Sequence, residues 1–167
     1  LEYVRVTILF STAENPAMIE IITDLLSHQN KAKTLRNSPG GVDARFISIN
    51  DTTGFKLFRD ESRRDDSFDT QMRCLEIGYA PTLGEMVDLD GDYGYFTEKV
   101  ETAESRFPQY STKGRGAWEW WEDYRDDFSL DKIVHDIYEK TGWSFVDSHL
   151  CNWGIKNGEY IPIDFGD

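Results

Sequence analysis

The sequence predicts an α+β fold, strand-rich through its middle and mainly helical beyond residue 101. Three observations lead there. Two pairs of apolar, β-branched and aromatic segments each flank a short polar turn, the pattern of paired strands. Between the pairs lies a stretch whose apolar residues recur at helical spacing. After Ser129 the helical period returns and runs cleanly for three turns. Hydrophobic residues make up 39% of the 167 and aromatic ones 14%, enough for a core in one domain or two small lobes.

Tyr3–Phe10 reads as a strand. Asn15 followed by Pro16 starts a helix, an N-cap and then a proline where its missing N–H costs nothing. Met18, Ile19, Ile22, Leu25 and Leu26 give that helix one apolar face, and it ends near Gln29–Asn30 as a packing element. The loop Arg36-Asn37-Ser38-Pro39-Gly40-Gly41 follows. Strands are expected over Val42–Ile49 and Phe55–Arg59, joined by a polar turn ending at Gly54.

Asp65 to Gly78 is expected to be helical, with Phe68, Met72, Leu75 and Cys74 facing inward, and Pro81 prevents its continuation. Two more strands, Leu83–Leu89 and Tyr93–Glu101, flank Asp90-Gly91-Asp92. Ser105–Gly116 reads as a loop, and Ala117–Asp127, with Trp118, Trp120 and Trp121, as helical. Ser129 caps a helix carrying Leu130, Ile133, Val134, Ile137 and Tyr138 on one face, stopped by Gly142. Short strands over Gly154–Lys156 and Tyr160–Ile163 surround the turn pair Asn157-Gly158. The domain organisation read from this is an N-terminal strand-helix extension over 1–33, a strand-rich part over 34–101 and a mainly helical part over 102–167.

The 31 acidic residues against 18 basic ones leave a net charge of −13, which repels nucleic-acid phosphates and anionic membranes; neither is an expected partner. Cys74 and Cys151 have no metal-type spacing and make no disulfide framework, so a reducing cytoplasm is the expected compartment. No run has the roughly twenty apolar residues of a membrane span. Glu2 and Arg5 interrupt the first segment, which lacks a signal peptide's apolar centre. The first residue is Leu1 rather than Met, as in a processed chain or a fragment.

Chemistry concentrates near the C-terminus, in Asp147, Asn152 and Asp164. Phosphoryl transfer needs a carboxylate to take the acceptor hydroxyl's proton. It also needs oxygen ligands for magnesium, which a carboxylate and an amide supply. The hairpin between Asn152 and Asp164 is expected to bring both metal ligands to one edge.

Asp-x-x-x-x-Asn, a hairpin and then Asp-Phe-Gly resembles the catalytic loop and metal-binding motif of protein kinases. Asp147-x-His149-x-x-Asn152 with Ile163-Asp164-Phe165-Gly166-Asp167 is more similar still to aminoglycoside and choline kinases, which share that fold. The resemblance runs from about Thr34 to Asp167 and implies a two-lobed protein-kinase-like fold, with a strand-rich N-lobe, a reduced C-lobe, and ATP and Mg2+ in the cleft. It implies Asp147 as catalytic base, Asn152 and Asp164 as magnesium ligands, and His149 as a phosphate contact or loop support. Lys56 matches the lysine that holds the α- and β-phosphates, and Ser38-Pro39-Gly40-Gly41 occupies the position of the glycine-rich loop. Thr97-Glu98-Lys99-Val100 occupies the hinge, where backbone groups of Glu98 and Val100 would meet adenine.

Three departures accompany the resemblance. Gln71 stands where the family has a glutamate that pairs with the lysine; it can hydrogen-bond the ammonium but not neutralise it, and Glu76 is a second candidate. Phe145 stands where a histidine usually precedes the catalytic aspartate, while His28 and His135 read as surface residues. The sequence stops at Asp167, directly after the motif, so a homodimer or a bound partner completing the C-terminal part is expected. The implied activity is transfer of the γ-phosphoryl group to a hydroxyl of a protein or small molecule, the Asp-x-His pattern leaning to the second. The rival readings are a pseudokinase or binding module that engages a partner protein, and an acidic mimic of nucleic acid.

Overall fold

The computed structural model describes residues 44–58, 60–89, 92–107, 129–148 and 150–166. The expected elements over 3–10, 15–30 and 117–127, the glycine loop with Gly40 and Gly41, and His28 and His149 lie outside them. The described residues divide into two compact units, 44–68 with 82–99, and 69–81 with 100–165.

The first unit is a four-stranded antiparallel sheet in the order β1-β2-β4-β3, formed by β1 (Ala44–Ser48), β2 (Thr53–Phe58), β3 (Leu83–Leu89) and β4 (Asp92–Glu98). β2 lies between two neighbours, and all six of its residues are buried. Its core partners are Phe96, edge-on to Phe55 at 5.0 Å, and Tyr95, stacked on Phe58 at 5.7 Å. The β1–β2 turn is organised by Asn50, whose Oδ1 accepts from the Thr52 and Thr53 amides at 2.9 Å. Gly54, expected to close that turn, instead sits inside β2 opposite Ser48 and Thr97. A side chain there would overlap the ring of Phe46, and one at Gly94 would overlap Phe55; each glycine makes room for a cross-strand ring.

Helix α1 spans Glu61–Glu76, starting four residues before the expected Asp65. Asp60 is the reason: its Oδ1 accepts from the Arg63 amide at 2.8 Å, an N-cap that apolar periodicity does not reveal. The buried face differs too. Arg64, Ser67, Gln71 and Cys74 are buried at helical spacing, whereas Phe68, Met72 and Leu75 are only partly so. Polar residues take the inner face because each finds a partner: Arg64 donates to the Val87 carbonyl at 3.2 Å and to Asp88, and Ser67 meets the Tyr95 hydroxyl at 3.0 Å.

The second unit contains the rest of α1, β5 (Glu101–Thr102), the short helix α2 (Ala103–Arg106), α3 (Leu130–Thr141), a 3-10 turn over Leu150–Asn152, β6 (Trp153–Lys156) and β7 (Glu159–Pro162). The single strand expected from Tyr93 to Glu101 is broken at Lys99-Val100, and Glu101–Thr102 joins the three-stranded sheet β5-β6-β7. Thr102 then caps α2, accepting from the Ser105 amide at 3.1 Å, and the helix runs into the start of the loop expected from Ser105.

α3 begins where expected, but Ser129 makes no side-chain cap bond. Its left-handed backbone, φ 55°, departs from the extended conformation that aims an N-cap oxygen at the first amides; its carbonyl alone closes the turn, accepting from Ile133 at 3.2 Å. Gly142, φ 77°, ends α3 as expected. Asn157 and Gly158 both have positive φ, the requirement of the two-residue turn joining β6 and β7. Among the described residues no helix is long and apolar enough to cross a membrane.

Candidate functional site

Lys56 lies on β2 directly opposite Tyr95 of β4, so both side chains share one face of the sheet. Its ammonium stands 5.7 Å from the Tyr95 ring centroid, within cation–π range, and the residue is only 8% exposed. The N-terminal part of α1 packs on the same face, through Ser67 and through Phe68, edge-on to Tyr95 at 5.2 Å. At the end of β4, the Glu98 amide donates to the Thr82 carbonyl at 2.8 Å and its carboxylate accepts from the Thr82 amide at 3.0 Å. Among the described residues the Val100 N–H makes no hydrogen bond.

The loop with Asp147 is built on aromatic rings. Trp143, directly after the Gly142 cap, stacks on Phe145 at 5.1 Å, and Phe145 meets Trp153 edge-on at 5.0 Å. Phe145, Leu150 and Trp153 are buried with Leu130 and Ala103. The indole N–H of Trp153 donates to the Ser148 carbonyl at 3.1 Å, pinning the middle of the loop. Phe145 and Leu150 point in, while the loop leaves Val146 and Asp147 exposed. Phe145 thus serves here as an apolar anchor.

Asn152 closes the loop. Its Nδ2 donates to the Asp147 carbonyl at 2.6 Å and to the Asp147 carboxylate at 3.2 Å. Its own carbonyl accepts from the Ile163 amide at 2.9 Å, across the base of the β6–β7 hairpin. That bond brings Ile163, the residue beside Asp164, back to Asn152. Asp164 is exposed, while Phe165 is buried against Cys74, Ala80 and Ile137.

The electrostatics point to the same cluster. Burial, and then the negative charges of Glu104, Asp147 and Asp164, push the Cys151 thiol above its ordinary value. Because the nitrogen end of the Asn152 amide is committed to Asp147, its oxygen is the end left for a cation; among the described residues it is met by the weak donor Cys151 at 3.7 Å. An amide oxygen with one or two carboxylates is a hard-oxygen set of the kind magnesium takes alongside phosphate, so Asn152 and Asp164 fit that ion. Among the described residues no group of three or more His, Cys, Asp or Glu forms an all-protein metal cage.

Gln71 is fully buried, and its amide donates to the Pro81 carbonyl at 3.0 Å. Glu76, the second candidate at that role, is exposed at the end of α1. Sequence reasoning did not single out Glu104, Cys151 or Trp143 for the site. Thr102 with Ser105 three residues on was the available sign of the capped turn that carries Glu104. No protein-family model matches this sequence, and no curated protein matches it significantly.

Proposed function

We propose that this chain is an ATP- and magnesium-dependent phosphotransferase, a reduced two-lobed form of the protein-kinase-like fold, acting on a hydroxyl of a protein or small molecule. One observation carries the reading: the hydrogen-bonded sequence Asp147–Asn152–Ile163, which ties the candidate base to one candidate metal ligand, Asn152, and Asn152 to the residue preceding the other, Asp164. Three oxygen-bearing side chains thereby stand over a buried apolar base, with the two carboxylates exposed.

In this reading Asp147 accepts the proton of the attacking hydroxyl, and the Asn152 amide keeps that carboxylate oriented. Asn152 Oδ1 and Asp164 hold magnesium, which when bound neutralises charge on the phosphate oxygens. Lys56 holds the α- and β-phosphates, backbone groups of Glu98 and Val100 meet adenine, and Gly40, Gly41 and His149 contribute phosphate contacts by the family resemblance. Positioning and charge stabilisation supply the rate acceleration, since no covalent intermediate is required.

A second reading, a binding module without catalysis, is favoured by Gln71, whose buried neutral amide already donates to Pro81. Calorimetry separates the two. ATP titrated with and without magnesium is expected to bind the wild type in a magnesium-dependent way, and Asp164→Ala is expected to lose at least about tenfold in that affinity. Absence of nucleotide binding by the wild-type protein sinks the enzyme reading and leaves the binding module.

A further inference from the structure

We propose that Trp143 is a positioning residue whose ring, held between Phe145 and Phe165, locks the Asp147–Asn152 loop to the Asp164 segment. Trp143 stacks on Phe145 at 5.1 Å with an interplanar angle of 24° and leans on Phe165 at 5.5 Å and 36°. Phe145 lies two residues before Asp147, and Phe165 directly follows Asp164. The ring therefore touches both chain segments that carry the candidate carboxylates.

Its own placement is determined from behind. The Thr141 hydroxyl donates to the Ile137 carbonyl at 2.7 Å and accepts from the Trp143 amide at 3.1 Å, fixing Trp143 just beyond the end of α3. Trp143 also packs against both apolar clusters of this unit, one centred on Phe145 and Trp153, the other on Ile137 and Phe165. It is only partly buried, so flat ring-to-ring contact rather than volume filling is its distinctive contribution. The Ile163–Asn152 hydrogen bond is a backbone tie between the same two segments.

The mechanical coupling stands on the contacts alone; its consequence for ligand binding rests on the phosphotransferase reading. Amide exchange followed by NMR tests the coupling in full-length Trp143→Leu and Trp143→Phe. In Trp143→Leu the Ile163 amide is expected to exchange about tenfold faster or more, with the β2–β4 ladder unchanged, because a local opening is released without global unfolding. Trp143→Phe is expected to restore the wild-type rate. Wild-type exchange at Ile163 in a folded Trp143→Leu protein overturns the proposal. Trp143→Met, flexible enough to fill the same space, serves in its place if the leucine variant does not fold. In parallel, the magnesium-dependent part of ATP affinity is expected to fall in Trp143→Leu and return in Trp143→Phe. A wild type that binds no magnesium–ATP overturns the phosphotransferase reading, and the exchange rates then decide the coupling by themselves.

Discussion

The sheet unit and the unit built around the β6–β7 hairpin both combine aromatic rings with polar side chains, but with opposite exposure. In the sheet unit Arg64 and Ser67 are buried, and their polar groups are consumed by Val87, Asp88 and Tyr95. In the hairpin unit Trp153, Phe145 and Phe165 are buried, while Asp147 and Asp164 face solvent from a hydrogen-bonded backbone. Polar groups satisfied inside a fold hold it together. Polar groups held at the surface can be reached by a ligand from solvent, which is why the hairpin unit is the better candidate for chemistry.

The contrast can be broken at four levels. The largest effect is expected for Trp153→Ala, which empties a fully buried site and removes the indole bond to Ser148; it should cost about 3–5 kcal/mol by urea denaturation. A loss below that of an ordinary surface change would show that the aromatic base is not what supports the loop. Next comes Gly94→Ala, where the new methyl meets both the Phe55 ring and the Lys56 carbonyl and should cost about 1–3 kcal/mol. Gly54→Ala should cost less, since Phe46 is 47% exposed and its ring can swing away.

The polar comparison itself is tested by a matched pair. Ser67→Ala should lose about 1 kcal/mol with its buried bond to Tyr95, whereas exposed Asp147→Asn should stay within about 0.5 kcal/mol of wild type. Equal losses would erase the distinction drawn between the two regions. The smallest effect appears only in alkali. Burial pushes the Cys74 thiol from 9.0 up to about 12, so the folded protein retains a proton that the unfolded chain releases. Its contribution is complete below pH 9.0 and is lost as pH rises toward about 12. Urea midpoints of wild type and Cys74→Ala should therefore converge with rising pH, and a constant gap would assign no such role to the thiol.

Much of the local architecture was legible. The β6–β7 turn followed from Asn157-Gly158, the end of α3 from Gly142, and β3 from an apolar-rich segment before the turn Asp90-Gly91-Asp92. Gly54 misled because a glycine after polar residues signals a turn as strongly as it signals room for a neighbouring ring, and only the strand register tells the two apart. The inner face of α1 misled because apolar periodicity cannot anticipate that Arg64, Ser67 and Gln71 each find a partner. Lys56 drew notice through the motif downstream; nothing in its own strand distinguishes it from a solvated lysine.

By itself the sequence determined which residue types and spacings are present at the candidate site: Asp147, Asn152 and Asp164, with a two-residue turn between the last two. Short-range geometry is sufficient for that, because turn chemistry and strand alternation act over a few residues. Only the tertiary structure decided that Asn152 spends its amide nitrogen on Asp147 and its carbonyl on Ile163, and that Trp143 lies between Phe145 and Phe165. Those contacts join residues from separate segments through packing and hydrogen bonds of comparable strength, and composition and periodicity do not rank such alternatives; the folded arrangement does.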